Sequence, residues 1–129
     1  MKKVFLFMAF TCFIMITSKA QLANTKWKGD MGIPQGQGQP VQMTEAVWDF
    51  KPDTVFVHLT GGEDEVMTYR VDHNILTFKK VSGGSQCDGE STGKYKYKIT
   101  GNQFFITLVE DSCEGRAAVD FSKPFTKVD

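Results

Sequence analysis

Cysteine and histidine are scarce in this chain, three and two respectively among 129 residues. A zinc site needs more ligands at closer spacing, and with His58 and His73 far apart no metal set is expected. Also missing are a Gly-x-Ser-x-Gly elbow, a phosphate-binding glycine loop and a paired-histidine motif, the usual marks of hydrolases, nucleotide enzymes and metalloproteases. Ser112 stands beside Asp111, but neither histidine has a context that would make it a base. No enzymatic activity and no cofactor are expected. The acidic groups Glu63-Asp64-Glu65 and Glu110-Asp111 lack the alternating oxygen-ligand spacing of a calcium loop and read as solvated turns. Excess positive charge is absent too. The 15 basic side chains equal the 15 acidic ones, and without Lys2, Lys3 and Lys19 the balance becomes 12 minus 15, or minus 3. A mildly acidic domain is a poor partner for nucleic acid or anionic membrane surfaces.

Long apolar runs are confined to the first residues. Lys2 and Lys3 precede a nearly unbroken apolar stretch from Val4 to Ile16, and Ser18-Lys19-Ala20 puts small residues at the two positions a signal peptidase reads. As a helix that stretch would reach about 20 Å, short of a hydrocarbon core of roughly 30 Å, so a cleaved signal peptide over residues 1–20 is expected rather than a membrane span. Cys12 follows Phe10-Thr11, without the small residues a lipoprotein signal requires. The expectation is an exported protein, periplasmic or extracellular, whose residues 21–129 form one domain. Cys87 and Cys113 then remain as an even pair in an oxidising compartment, where a disulfide is expected.

No stretch of residues 21–129 sustains apolar residues at helical spacing, whereas several short runs alternate and are rich in Val, Ile, Thr, Tyr and Phe. The domain reads as all-β. Strands are expected at 26–29, 46–50, 54–60, 66–71, 75–81, 94–100, 104–109 and 117–121. The turns between most of them are short, notably Lys51-Pro52-Asp53, Gly61-Gly62, His73-Asn74 and Gly101-Asn102. Tight turns imply an antiparallel meander, because parallel strands need crossovers of about a dozen residues or more.

Two hairpins have a checkable register. A loop at Gly101-Asn102 sets Ile99 opposite Phe104, Tyr97 opposite Ile106 and Tyr95 opposite Leu108, all on one face, with Lys94, Lys96 and Lys98 on the other. A loop at His73-Asn74 sets Val71 opposite Leu76 and Tyr69 opposite Phe78. The first register places Cys113 opposite Glu90, about 10 Å along an extended strand from Cys87, with Gly89 and Gly93 available to make the bend that closes the gap. Two segments break the pattern: Ile33 to Pro40, with prolines framing glycines, and Ser82 to Gly93. Both read as exposed loops, the second held by the disulfide.

An exported domain of about eight antiparallel strands, with Trp27-Lys28-Gly29 near its start and a long loop after the first strand, resembles the lipocalins and their wider calycin superfamily. The run from Gly93 through Tyr97, and that from Leu108 to Arg116, are similar to the C-terminal half of small bacterial lipocalin-like proteins. The glycine usual two positions before the tryptophan is Thr25 here. The resemblance implies an up-and-down β-barrel in which Arg116, near the last strand, packs over the Trp27 indole. In such a barrel Tyr69, Phe78, Tyr95, Tyr97, Ile106 and Leu108 would face inward, joined by Phe56 and His58 if that face of their strand points in. These eight are the candidate pocket residues. They either fill the barrel or wall a cavity for one small apolar ligand entering beside the 33–40 loop. The alternative is a protein-binding module, such as a periplasmic protease inhibitor, with Gln21 to Thr25 as its arm.

Overall fold

The computed structural model describes residues 21–129; the signal peptide expected over residues 1–20 lies outside the described residues. Eight strands follow one another around a closed barrel, each antiparallel to its neighbours: β1 (Thr25–Ile33), β2 (Gln42–Phe50), β3 (Thr54–Leu59), β4 (Glu65–Asp72), β5 (Ile75–Ser82), β6 (Thr92–Thr100), β7 (Gln103–Asp111) and β8 (Phe125–Val128). One helical turn, α1 (Glu114–Ala117), lies between β7 and β8. The order is up-and-down, as the short turns require. Among the described residues no helix is long and apolar enough to cross a membrane.

The last strand differs from expectation. Residues 117–121 contribute only an isolated bridge between Asp120 and Gly32, and the barrel is closed by Phe125–Val128. Ala117-Ala118 favours helix over strand, and α1 takes up the chain there. Phe125, opposite Phe104, supplies the large side chain that the closing seam buries.

Both expected hairpin registers are present, with Ile99, Tyr97 and Tyr95 opposite Phe104, Ile106 and Leu108, and with Val71 and Tyr69 opposite Leu76 and Phe78. Beyond Tyr95 the register slips: Lys94 pairs with Glu110 and Gly93 with Asp111, leaving Val109 as the extra residue of a β-bulge. A bulge reverses which face the following residues occupy. Asp111, which an unbulged strand would turn outward, is thereby brought inside, and its side chain is fully buried. Leu108 is not covered: β7 pairs with β8 only at Gln103–Thr126 and Phe104–Phe125, so Leu108 lies past the seam and is 41% exposed.

The disulfide joins Cys87 to Cys113 with a Cα–Cα distance of 5.5 Å. The bend that allows it comes from Asp88, whose Oδ1 accepts the backbone N–H groups of Glu90 (2.9 Å) and Ser91 (2.7 Å). Gly89 and Gly93 are not among the left-handed glycines. Gly93 serves a close approach instead, because a Cβ there would lie 2.3 Å from Asp111 Oδ2.

The two ends of the barrel are built differently. The lower end carries the tight turns after β2, β4 and β6, with His73 (φ 55°) and Gly101 (φ 61°) in the left-handed region. Above it the interior is solid. Phe104 packs on Trp27 at 5.5 Å, on Phe50 at 5.9 Å and on Phe125 at 6.2 Å, and Phe50 meets Tyr69 edge-on at 5.1 Å. Tyr69 donates its hydroxyl proton to the Lys51 carbonyl at 2.5 Å, and Tyr97 donates to that of His73 at 3.5 Å, so the phenols are satisfied at the floor. Gln21 to Thr25 is no projecting arm. Leu22 is fully buried in the same core, and the Asn24 amide donates to the Phe50 carbonyl at 2.8 Å. All the longer connections lie at the upper end.

Candidate ligand cavity

At the upper end of the barrel lies an open cavity of about 1020 Å³, bounded by the loops and by the strands beneath them. Its base is formed by inward residues of the first six strands, among them Met31, Trp48, Val57, Met67, Phe78 and Tyr95, which are themselves buried and packed together, Phe78 meeting Trp48 at 5.8 Å and Tyr95 at 5.6 Å. Each stands at an inward position of a strand with period two. The mouth is bounded by Ile33 to Gly36, by the loop carrying Cys87 and Asp88, and by the segment from Ser112 to Arg116. The disulfide therefore ties together two sides of the mouth.

Of the eight candidate pocket residues, Phe78 and Tyr95 line this cavity. Tyr69, Tyr97 and Ile106 are buried in the packed lower half, away from the cavity walls. Leu108 is exposed at the seam. Phe56 and His58 do share a face, but it is the outer one. Their rings stack at 6.4 Å, and His58 Nδ1 lies 2.7 Å from Asp64 Oδ2. The β2–β3 pairing sets Val55 opposite Phe50 and Val57 opposite Trp48, so the odd-numbered residues of β3 point inward. Met31, Trp48, Val57 and Met67 were not anticipated. A three-residue loop at Lys51-Pro52-Asp53 would pair Trp48 with Phe56; the Lys51 amide instead donates to the Thr54 carbonyl at 2.8 Å, the loop shrinks to Pro52-Asp53, and Trp48 stands opposite Val57.

Arg116 is held where the cavity wall meets the mouth, at the opposite end of the barrel from Trp27. Its Nε donates to Asp111 Oδ2 at 2.5 Å and its Nη2 to Oδ1 at 2.9 Å, with a further bond from Nη2 to the Ser91 carbonyl at 3.2 Å. Tyr95 donates to the same Asp111 Oδ2 at 2.5 Å, and the Cys113 amide to Oδ1 at 2.8 Å. The expected Trp27–Arg116 contact is not formed. Trp27 Nε1 donates to Thr25 Oγ1 at 2.8 Å and its ring packs on Phe104. The bulge in β7 explains the difference, because it delivers a buried carboxylate that takes the guanidinium.

Burial disfavours the Asp111 anion, but the hydrogen bonds from Arg116, Tyr95 and the Cys113 amide outweigh it and hold the carboxyl below the usual range. Burial, followed by the bond to Asp111, pushes the Tyr95 phenol well above its ordinary value. Burial opposes the Arg116 cation as well, yet Asp111 raises its affinity for the proton. The pair is thus ionised and Tyr95 is a neutral donor. Two other donors have no partner among the described residues: Trp48 Nε1 and Arg116 Nη1, both buried and both on residues lining the cavity. Among the described residues no group of three or more His, Cys, Asp or Glu side chains is placed to hold a metal ion. An apolar wall with a few fixed donors suits the binding of an organic molecule.

The fold is a disulfide-stapled, eight-stranded antiparallel up-and-down barrel, compatible with a lipocalin-like fold. Comparison with protein-family models, with curated proteins and with solved structures gives no match for this chain.

Proposed function

We propose that this is an exported, lipocalin-like binding protein that carries a small apolar ligand in the upper cup and catalyses no reaction. The observation that carries the reading is the open cavity of about 1020 Å³ at the loop-bearing end of the barrel, large enough for a small organic molecule. The alternative of a protein-binding module draws less support, since Gln21 to Thr25 packs into the floor.

Fluorescence titration with a neutral apolar dye such as N-phenyl-1-naphthylamine tests the proposal. Saturable one-to-one binding is expected, abolished by Val57→Arg, which sets an unpaired charge in the wall, and unchanged by Lys96→Glu on the outer face. Absence of saturable binding, or equal binding by both variants, would contradict it.

A further inference from the structure

The ladder that closes the barrel does not run its full height. β8 pairs with β7 only at Gln103 and Phe104, and among the described residues no backbone hydrogen bond is made on that side of β7 between Phe105 and Glu110. Which groups are left over follows from the alternation of an antiparallel ladder. The Tyr97 amide donates to the Asn74 carbonyl at 2.9 Å, so the odd-numbered residues of β6 turn their backbone groups to β5 and the even-numbered ones to β7. Lys98 and Lys96 take up the groups of Phe105 and Thr107 opposite them. Those of Ile106 and Leu108 therefore point to the open side. The Lys127 amide, which donates to the Asn102 carbonyl at 2.8 Å, obeys the same alternation at the foot of β7. The side chains beside this edge are exposed and apolar: Phe105 at 39%, Leu108 at 41% and Val109 at 53%. From Phe105 to Val109 there is neither a charge nor a proline, the usual devices that keep a free strand edge from pairing.

We propose that this edge joins two copies of the chain through an antiparallel pairing of β7 with β7 about a two-fold axis at Thr107. Opposed in that way, Thr107 meets Thr107 of the second copy, Ile106 meets Leu108, and Phe105 meets Val109. Ile106 and Leu108 carry the free backbone groups, so each such pair can exchange both N–H···O bonds, with the Thr107 pair as the non-hydrogen-bonded position between them. Their side chains share the inward face, while the exposed Phe105 and Val109 cover one another. An axis one residue along, at Leu108, would set Ile106 opposite Glu110 and Phe105 opposite Asp111, inward residues against outward ones. The stretch is uncharged, so no like charges are opposed. The lysines of β6 face those of the second copy across three strand spacings, about 14 Å, beyond the Debye length of about 8 Å at physiological salt. A two-fold pairing consumes the same edge on both copies and closes on itself, which makes a dimer rather than a fibre. The paired stretch is short and ends at the bulge, so a weak dimer with a dissociation constant of about 10 to 100 μM is expected. The inference is independent of the binding reading above.

Sedimentation velocity of the disulfide-intact protein between about 5 and 500 μM tests the proposal, the wild type passing from monomer to dimer over the range that the expected constant of about 10 to 100 μM sets. Thr107 is exposed, so the barrel tolerates Thr107→Glu and Thr107→Lys, a point checked by an unchanged far-ultraviolet signal and urea midpoint. Each variant alone opposes like charges at the axis and should weaken dimerisation about five- to tenfold at low salt. An equimolar mixture of the two should recover the dimer. Thr68→Glu, at an exposed position of β4, should leave association unchanged. Thr107→Cys should form a covalent dimer on mild oxidation, since opposed non-hydrogen-bonded residues stand about 4.5 Å apart at Cα. A monomer at every concentration would overturn the proposal and leave the edge to a different protein. A dimer that both charged variants form as well as the wild type would overturn the assigned interface.

Discussion

Replacing Asp111 by alanine removes the acceptor for four donors at once: Tyr95 Oη, Arg116 Nε, Arg116 Nη2 and the Cys113 amide. The Arg116 side chain is only 10% exposed, so its cation is left in the wall with little water to replace the lost partner. Breaking a buried ion pair by deleting one member costs about 3 to 5 kcal/mol, a large fraction of the 5 to 15 kcal/mol that holds a typical domain folded. The expected loss for Asp111→Ala is therefore about 3 to 5 kcal/mol, read as a lower urea midpoint in a tryptophan-fluorescence unfolding curve of the disulfide-intact protein. Removing both charges, as in Asp111→Leu/Arg116→Leu, should recover a good part of that loss, because no unpaired ion remains. A single-variant loss below about 1 kcal/mol, or a double variant worse than the sum of the singles, would refute the view that the bulge in β7 exists to bury this pair.

Opening the disulfide with Cys87→Ser/Cys113→Ser should cost about 3.5 kcal/mol by the chain-entropy relation for a sequence separation of 26, with the far-ultraviolet β signal retained below the lowered midpoint. Gly93→Ala sets a methyl 2.3 Å from Asp111 Oδ2 and 2.9 Å from Tyr95 Cε2; about 2 kcal/mol or more of destabilisation is expected, against near-neutrality for Gly115→Ala, where a Cβ meets nothing within 4 Å. The lowered pKa of Asp111 makes its contribution fully present above the unfolded carboxyl value near pH 4 and lost as pH falls through the lower folded value. Stability measured from pH 5 downward should therefore decline less steeply in Asp111→Asn than in the wild type. Tyr95 acts at the other limit: its raised pKa gives stability that is intact below about pH 10 and declines as pH rises beyond it, a decline that Tyr95→Phe should reduce.

Much of the barrel is legible from alternation and turn chemistry alone. Two-residue turns at His73-Asn74 and Gly101-Asn102 fix register, and register decides which side chains face inward. That logic places Phe78 and Tyr95 inside; between β2 and β3 it depends on whether the loop has two residues or three, and the two-residue loop of the structure turns Phe56 and His58 outward. The bulge at Val109 escapes pattern reading, because an extra residue leaves the composition unchanged while flipping everything after it. Asp111 and Arg116 therefore read from the sequence as a solvated turn and a partner for Trp27, whereas the structure buries them as a pair. The division between residues beneath the cavity and residues deeper in the barrel is not legible in the sequence either. Tyr69, Tyr97 and Ile106 have the same alternation as Phe78 and Tyr95, and only their distance along the barrel axis separates core from wall.

Methyl NMR measures that division directly. With the Met, Ile, Leu and Val methyls labelled, addition of a saturating neutral apolar ligand should shift Met31 and Met67 beneath the cavity and give ligand cross-peaks to Trp48 and Phe78. The methyls of Ile106 in the packed lower half, and of Leu108 and Val109 on the outer seam, should stay in place. Perturbations confined to Leu108 and Val109, with Met31 and Met67 unmoved, would mean that the ligand adheres to the seam and that the cup is not the binding site.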